Sequence, residues 1–401
     1  MKHKNIPKGY KDSPLGIIPK EWEVKTIGEV CDIHVGKDLN LNSYSKICDN
    51  THIYPVYSNT VDANGWYGGY YNFEEYKGNC VTVVGRGVGL GTAFYRDKGF
   101  GAIGRLLVLY SDKCDAKYLT EYINGKVEIF VESAAIPQLT GKQIANYRIA
   151  VPPINEQKKI AEILSVWDEA IDKQTKLIDA LVCRKRALMQ QLLTGKKRLL
   201  YYTEPWKQVR LGNIFCEVNS VNNKQQNYPV MTISAKLGLV SQLNKFDRII
   251  AGNSLNKYTL LKKDDFAYNK GNSKTYPMGC IYKLDEYEYA LVPFVYICFQ
   301  KTAKINISFY QQWFINHGLD KQLKRIITSG ARGDGLLNVD RKDFFNTTVP
   351  FPHFTEQQAI ATILATADLE IGLVKKRLDQ FGTQKRSLMQ QLLTGKKRIK
   401  T

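Results

Sequence analysis

Apolar side chains recur with alternating spacings of four and three residues along two long stretches of the chain. The first stripe, which includes two polar positions, consists of Ile160, Leu164, Trp167, Ile171, Gln174, Ile178, Leu181, Lys185, Leu188 and Leu192. The second consists of Ile360, Leu364, Ala367, Ile371, Val374, Leu378, Phe381, Lys385, Leu388 and Leu392. A narrow heptad stripe is typical of a helix that packs against one partner helix. The pattern predicts two helices of about forty residues, each about 60 Å long, that pack on each other.

An alternative is that each helix packs only on its own half of the chain. Two equal stripes with polar opposite faces favour pairing, and Trp167 against a small side chain such as Ala367 would suit it. Prolines precede both stretches, and Asn155 and Thr355 are the predicted N-caps, the latter in a capping-box pattern with Gln358. The predicted C-terminal caps are Gly195 and Gly395.

The two stretches are copies of each other. The string LMQQLLTGKKR occupies residues 188–198 and returns unchanged at 388–398. Further matches are Glu156-Gln157 with Glu356-Gln357, and Trp22 and Gly28 with Trp206 and Gly212. Between these anchors the two halves diverge almost completely. The chain is therefore a duplicated module with a preserved frame and variable content.

The variable parts contain short β-rich runs at 80–84, 106–110, 228–233 and 289–299, and helical patterns at 117–132 and 308–328. Each half is predicted to be a compact mixed α/β domain with a twisted sheet and long surface loops. The predicted fold class is α+β, with a duplicated architecture. The predicted segments are a first domain at 1–153, a first long helix at 154–198, a second domain at 199–353 and a second long helix at 354–401.

The net positive charge of the chain indicates the kind of partner it binds. The 401 residues carry a net charge of +19, with +6 in residues 1–200 and +13 in the remainder. A large basic excess favours a polyanionic partner, with nucleic acid first, although a merely cationic protein or an anionic membrane surface would also fit.

Polar, basic and aromatic side chains in the predicted loops form the inventory needed to read base edges and hold phosphates. In the first half the candidate DNA-binding residues are Tyr57, Ser58, Asn59, Trp66, Tyr67, Arg86, Arg105, Gln138 and Lys142. In the second half they are Thr232, Ser234, Lys236, Asn269, Lys270, Asn272, Lys274, Arg332, Asp334 and Asn338. For any one of them an ordinary solvated loop position is the alternative.

Several function classes lack their motifs. No run approaches the roughly 18 apolar residues that a bilayer span needs, and the start is polar, so we expect a cytoplasmic protein without membrane contact. The eight scattered cysteines predict neither a disulfide framework nor a zinc site, and we expect small buried thiols and no metal. The string GRGVGLG at 85–91 fits no G-x-G-x-x-G frame and indicates only a tight turn that brings backbone close to something, which could be phosphate. No P-loop or catalytic set is present.

The repeated frame resembles that of type I restriction-modification specificity subunits over essentially the whole chain. The features that carry the resemblance are the Trp22…Gly28 and Trp206…Gly212 domain starts, the PPINEQ and PHFTEQ helix entries, and the two LMQQLLTGKKR endings. The resemblance implies two target recognition domains held apart by two long antiparallel helices, with pseudo-twofold symmetry. It also implies double-stranded DNA as partner, two methylation subunits and, in the full complex, two restriction subunits.

The resemblance further implies that this chain is non-catalytic and holds no cofactor, with S-adenosylmethionine, ATP and Mg on the partner subunits. The helices and their basic ends would carry much of the contact to the methylation subunits. Predicted helix–helix or subunit interface residues are Glu156, Gln157, Ile160, Leu164, Trp167, Ile171, Ile178, Leu181, Leu188, Leu192, Glu356, Gln357, Ile360, Leu364, Ile371, Leu378, Phe381, Leu388 and Leu392.

Two recognition domains on a rigid spacer would read a split DNA site, with the helices setting the gap. Because the two loop sets differ, we predict an asymmetric target. Two other hypotheses remain: an enzyme that itself methylates or cleaves DNA, and a structural helical adaptor with degenerate recognition domains.

Overall fold

The computed structural model describes residues 6–130, 137–222, 227–235, 237–250, 252–271, 275–327 and 337–399. The chain folds into two compact units, which we call the first and second unit. The first comprises Met1–Lys176 and Lys375–Thr401, and the second comprises Leu177–Val374. Each of the two long helices contributes one part to each unit.

The described residues of the first unit combine short, mostly antiparallel strands with short helices. Its strands are β1 (Tyr10–Ser13), β2 (Gly16–Pro19), β3 (Glu23–Thr26), β4 (Asp32–Val35), β5 (Tyr44–Ser45), β6 (Tyr54–Tyr57), β7 (Trp66–Tyr71), β8 (Cys80–Val83), β9 (Ala93–Arg96), β10 (Gly101–Ala102), β11 (Leu107–Tyr110) and β12 (Arg148–Val151). Its helices are α1 (Ile27–Val30), α2 (Ala116–Lys126) and α3 (Gly141–Ala145), followed by the start of the long helix α4 (Ile154–Leu192).

The main sheet of the first unit has the strand order β4-β11-β8-β9 and is antiparallel throughout. The central strands β8 and β11 are almost wholly buried, as expected for their Val- and Leu-rich sequences. Helix α2 packs on β8 and β9. The Asp115 side chain caps the start of α2 by accepting a hydrogen bond from the Tyr118 N–H. A second sheet, β10-β6-β7-β5, carries several predicted DNA-contact residues.

The second unit repeats this plan. Its strands are β13 (Lys207–Arg210), β14 (Phe215–Glu217), β15 (Met231–Ser234), β16 (Gly238–Ser241), β17 (Thr259–Lys262), β18 (Phe266–Asn269), β19 (Cys280–Lys283), β20 (Tyr289–Val292), β21 (Ile297–Lys301) and β22 (Thr348–Phe351). Its helices are α5 (Gln242–Phe246), α6 (Ile307–Ile315), α7 (Asp320–Ile326) and α8 (Arg341–Asn346), followed by the start of the long helix α9 (Phe354–Leu392).

The main sheet of the second unit has the order β14-β21-β18-β19, which is the order of the first unit with equivalent strands. The pair β13-β22 likewise corresponds to β3-β12. Aromatic rings fill the second core, where Phe215, Phe266 and Phe299 contact one another at centroid distances of 5.3–5.7 Å. The first core uses mainly aliphatic side chains at the same sheet. The predicted mixed α/β architecture in two copies is confirmed.

Several predicted segments are shorter than the sequence pattern suggested. The run 289–299 splits into β20 and β21 because Pro293 accepts a turn hydrogen bond from Tyr296 and has no N–H for a sheet. The helix predicted at 308–328 breaks between α6 and α7, where His317 has a left-handed φ of 61°. The strand predicted at 228–233 is β15, and the helix predicted at 117–132 ends at Lys126.

Both long helices contain 39 residues, close to the predicted length. The predicted N-caps Asn155 and Thr355 were wrong, because both lie inside the first turn. The carbonyl of Pro153 starts the first helix by accepting from two N–H groups, and the carbonyl of His353 does the same for the second. The predicted capping box at Thr355 and Gln358 therefore does not form at the helix start, and the Thr355 hydroxyl contacts the His353 ring instead.

The helices end at Leu192 and Leu392, which is earlier than the predicted boundary at 198 in the first copy. Gly195 and Gly395 have φ values of 69° and 68°, which confirms the predicted glycine caps. The left-handed glycine ends the helix, so the last residues of each repeated string form a turn.

The heptad stripes are confirmed as the covered faces of both helices, because all twenty positions are buried or half-buried. Within the first unit, the start of α4 faces the end of α9, and the Trp167 ring lies edge-on to Phe381 at 5.7 Å. The helices are therefore antiparallel. Trp167 meets an aromatic ring, which corrects the suggested pairing with Ala367.

The alternative in which each helix packs only on its own half is incomplete. Ile160 and Leu164 do join the first core, but Met389 and Leu392 from the other helix join it as well. In the second unit the corresponding core includes Ile360 and Leu364 together with the end of α4. Each core is thus completed by the end of the other repeat.

All eight cysteines are free thiols. Five of them are buried, whereas Cys48 and Cys183 are exposed and Cys216 is half-buried, so the expectation of uniformly buried thiols was too broad. Among the described residues, no helix is both long enough and apolar enough to cross a membrane.

Candidate nucleic-acid interface

An open groove of about 530 Å³ on the first unit brings together two predicted DNA-contact residues, Arg105 and Gln138. Lys37 and Asp38 also line it. Arg105 is exposed, and its side chain lines the groove. Its left-handed φ of 68° turns the backbone just before β11 begins. The charged lining residues of the groove are Lys37, Arg105 and Asp38, so the net charge of the lining is positive and suits an anionic ligand.

Arg86 and Lys142 border the same region. Arg86 is exposed, and its backbone pairs with that of Gln138 in an isolated antiparallel bridge. Lys142 is exposed on α3, and this helix starts with a capping box formed by Thr140 and Gln143. Four predicted residues from three separate chain segments therefore lie around one basic surface.

The Asn59 side chain makes two hydrogen bonds within the first unit. Its amide nitrogen donates to the carbonyl of Gly104, and its amide oxygen accepts the N–H of Gly85 at 2.7 Å. The side chain links two loops beside the groove, and a backbone-supporting role accounts for its polarity.

The β6–β7 hairpin carries the remaining first-half candidates, Tyr57, Ser58, Trp66 and Tyr67. Trp66 and Tyr67 are 39% and 47% exposed, and their rings are available to a ligand. Ser58 is half-buried and donates its backbone N–H to Gly65.

Arg96 is buried beneath this hairpin. Its guanidinium lies 3.6 Å from the Tyr57 ring centroid and donates to the Asn64 carbonyl at 2.8 Å and the Thr82 hydroxyl at 2.9 Å. Burial lowers the pKa of Arg96 to about 10, which leaves it charged at neutral pH. Arg96 thus supports the hairpin from below, and the face of the Tyr57 ring attracts its positive charge.

In the second unit the predicted residues are less evenly exposed. Thr232 is 8% exposed and its hydroxyl lies 3.3 Å from that of Tyr296, which gives it a role in the sheet. Ser234 is half-buried at the end of β15. Asn269 accepts the N–H of Gly271 at 2.9 Å and shapes the loop after β18.

Lys270 and Asn338 lie near each other on the second unit, because the Lys270 carbonyl accepts the N–H of Leu337 at 3.0 Å. The first unit has the same contact, in which the Gly85 carbonyl accepts the N–H of Leu139 at 2.8 Å. The other predicted residues of this half lie outside the described residues; they are Lys236, Asn272, Lys274, Arg332 and Asp334.

The arginine of the repeated string forms an ion pair with a buried glutamate in each unit. In the first unit Glu156, which is 2% exposed, accepts from Arg398 Nε at 2.8 Å and from Trp22 Nε1 at 3.0 Å. The hydrogen bonds that Arg398 donates to Glu156 and Glu21 raise its pKa. The cluster joins the start of the domain, the start of α4 and the end of α9.

The second unit contains the same cluster with the roles exchanged between repeats. Glu356 accepts from Arg198 Nε at 2.8 Å and from Trp206 Nε1 at 2.9 Å. The equivalent glutamines also match: Gln157 Oε1 accepts the N–H of Asp115, and Gln357 Oε1 accepts that of Asn306, each at 2.8 Å. All four residues predicted for assembly or architecture are buried and hold the helix starts to their domains.

Trp22 and Trp206 were predicted only as markers of the domain starts, and Arg198 and Arg398 were not predicted as functional residues. The unchanged repetition of the string was the available signal, because an identical arginine and an identical glutamate suggest a shared partner. Lys37 was also missed, since a lone lysine after a short strand has no distinctive pattern.

These features define a tandem duplication of a mixed α/β domain, in which loops on equivalent sheets differ and buried helix-end clusters agree. Residues 19–181 and 203–381 both match the model of a family described as the type I restriction modification DNA specificity domain. The chain belongs to this family.

Two kinds of similar protein extend this result. The type I restriction enzyme MjaVIII specificity subunit of Methanocaldococcus jannaschii is 26% identical, over 96% of this chain and 94% of that protein. The crystal structure of a type I restriction-modification S subunit from M. genitalium superimposes with a TM-score of 0.57 at 16% identity, covering 92% of this chain and 96% of the other. A chain solved in work on complex assembly and conformational transition of the type I R-M system gives 0.56 at 13% identity, covering 94% and 99%. The two structures support the fold.

Proposed function

We propose that this chain is the sequence-specific DNA-binding specificity subunit of a type I restriction-modification complex. Each half would read one part of an asymmetric, bipartite DNA target. The observation that carries the proposal is the tandem match to the specificity-domain family, combined with two main sheets of equal strand order whose loops differ in sequence.

The charge distribution supports a DNA ligand. Arg86, Arg105 and Lys37 are exposed around one groove of the first unit, where cationic side chains can contact phosphates. Phosphate contacts of this kind supply much of the affinity and make it fall steeply with salt, whereas base-edge hydrogen bonds supply about 1–3 kcal/mol of discrimination each.

The proposed partners are double-stranded DNA, two methylation subunits and two restriction subunits. The chain itself would be non-catalytic and would position those subunits on the target. S-adenosylmethionine, ATP and Mg would bind to the partner subunits. The exposed faces of α4 and α9 and the paired lysines after each glycine cap are the surfaces we assign to subunit contact.

The test is a methylome of a host that expresses this chain together with its methylation subunit. We expect one split, asymmetric motif to be methylated, and no methylation when either protein is expressed alone. Methylation by this chain alone would favour the enzymatic alternative, and partner binding without any sequence preference would favour the adaptor alternative.

A domain exchange sharpens the test. Replacing residues 1–153 by the corresponding domain of another family member should change one half of the motif and leave the other half intact. The reciprocal exchange of residues 199–353 is the matched control, and it should change the opposite half. If either exchange altered both halves or neither, the modular reading would be refuted.

A further inference from the structure

The string GRGVGLG forms a rigid turn between β8 and β9 of the first unit. Gly87, Gly89 and Gly91 have φ values of 84°, 81° and 85°, which L-residues rarely adopt. The alternation of glycine with larger residues from Gly87 to Gly91 therefore follows from the backbone, because these three positions adopt a left-handed conformation.

The base of the turn is locked into the domain. A Cβ on Gly89 would lie 2.3 Å from a Val61 methyl, and one on Gly91 would lie 2.4 Å from Ile129. Leu90 packs against the first core. The close backbone approach suggested by the sequence is thus made to side chains of the same unit.

The tip of the turn has the opposite character. Nothing lies within 4 Å of the Cβ position of Gly87, and Val88 is 88% exposed. Arg86 on the other side of Gly87 is exposed as well. Because the flanking backbone is hydrogen-bonded, with Gly91 donating to Val84 at 2.8 Å, the exposed valine is held on a fixed support.

The tip lies beside the basic groove. Gly87 donates its N–H to the Pro137 carbonyl at 3.3 Å, next to the groove residue Gln138. Among the described residues of this surface, Arg86, Arg105, Lys37 and Lys142 supply four cations, and Asp38 supplies one carboxylate. The charge balance points to a polyanion as the occupant, and a fixed apolar side chain within a cationic surface fits a DNA groove better than an acidic peptide.

We propose that the glycine turn Gly85–Gly91 is a base-reading element of the first domain, with Val88 packing on the C5-methyl group of a thymine in the major groove. The inference rests on the proposed DNA-binding function. A two-stranded ribbon fits the major groove, where the thymine methyl is an apolar mark that only A·T pairs present. Gly87 lets the backbone come close to the base edges, and Arg86 contacts the neighbouring phosphate.

The experiment uses DNA with the target sequence that the methylome identifies. This DNA is compared with versions in which each thymine of the first half-site, one at a time, is replaced by deoxyuridine, which lacks only the methyl group. Equilibrium binding is measured for the full chain in complex with its methylation subunit. For the unaltered chain, one deoxyuridine position should weaken binding about fourfold, the value expected for one buried methyl group. The variant Val88→Ala should lose a similar factor on thymine and be insensitive to deoxyuridine at that position.

The variant Leu41→Ala is the matched control, because Leu41 is 75% exposed on the same unit and lies outside the turn and groove. It should leave binding and the thymine preference unchanged. A half-site without thymine, or a Val88→Ala complex that still discriminates thymine from deoxyuridine, would overturn the inference while leaving the proposed function intact. Absence of any site-specific binding by the unaltered complex would instead refute the proposed function.

Discussion

Removal of the arginine that pairs with Glu156 tests whether the repeated string stabilises the first unit through a buried charge. In the native cluster, Arg398 donates twice to the Glu156 carboxylate, at 2.8 and 3.1 Å, and Trp22 donates once. The variant Arg398→Ala leaves a carboxylate that is 2% exposed with the indole N–H as its remaining side-chain donor.

The expected loss of stability comes from the charge that the substitution leaves behind. Removing one partner of a buried ion pair leaves the other charge buried and unpaired, which costs about 3–5 kcal/mol. The Arg398 side chain is itself 34% exposed, so water screens part of the interaction and we expect the lower end, about 3 kcal/mol. For a unit of this size that corresponds to a decrease in Tm of about 6–12 °C.

Urea and thermal unfolding followed by tryptophan fluorescence provide the assay, because Trp22 is part of the cluster. The double variant Arg398→Ala/Glu156→Gln should recover at least about 1 kcal/mol relative to Arg398→Ala, since the stranded charge is gone. Arg198→Ala should reproduce the effect in the second unit. Lys396→Ala removes an adjacent exposed charge and should change stability by less than about 0.5 kcal/mol. A double variant as unstable as the sum of its single variants would contradict the buried-charge explanation.

Three further predictions address other parts of the molecule. Burial raises the pKa of Asp265 to about 6, so the folded protein binds this proton more tightly than the unfolded chain does. The free energy of unfolding therefore falls as the pH rises towards and through 6. Asp265→Asn should raise the free energy of unfolding by up to about 3 kcal/mol at pH 7.5 and have no such effect at pH 3.5, as urea titrations at the two pH values would show. Gly89→Ala should lower Tm, because the added methyl meets a valine side chain in a left-handed backbone. Lys385→Met should destabilise more than Lys185→Met, because it strands Glu121, whose pKa is raised by burial, as well as Asp168; equal losses of Tm would contradict this.

The sequence predicted the covered face of each long helix but not its register. Heptad spacing identifies which positions are apolar, and all of them proved to be covered. Register depends on contacts between chain segments that are distant in sequence, such as Lys385 with Asp168 at 2.7 Å in the first unit and Lys185 with Asp368 at 2.6 Å in the second. The two lysines looked like interruptions of the apolar stripe, whereas each pairs with a carboxylate of the opposite helix.

The structure brings some of the predicted DNA-contact residues together and gives others contacts within the fold, and their contact with DNA stays a prediction. Arg105 and Gln138 meet in one groove although 33 positions separate them, which the loop composition alone could not show. Asn59 and Thr232 have the composition of binding residues but support backbone or sheet. Local sequence cannot separate these roles, because a polar side chain that stabilises a loop and one that contacts a ligand draw on the same residue types.

The identity of the two strings has a physical reason. The arginine at the end of the second repeat serves the glutamate of the first, and the arginine of the first repeat serves the glutamate of the second. A change in either string would therefore have to match a glutamate, a tryptophan and a core that belong to the other repeat. The loops on the sheets face no such requirement, since their supports, such as Arg96 beneath the first hairpin, lie within the same domain. This separation allows the recognition surfaces to change while the helix-end clusters stay constant, and it is the structural condition under which exchanging residues 1–153 can alter one half-site alone.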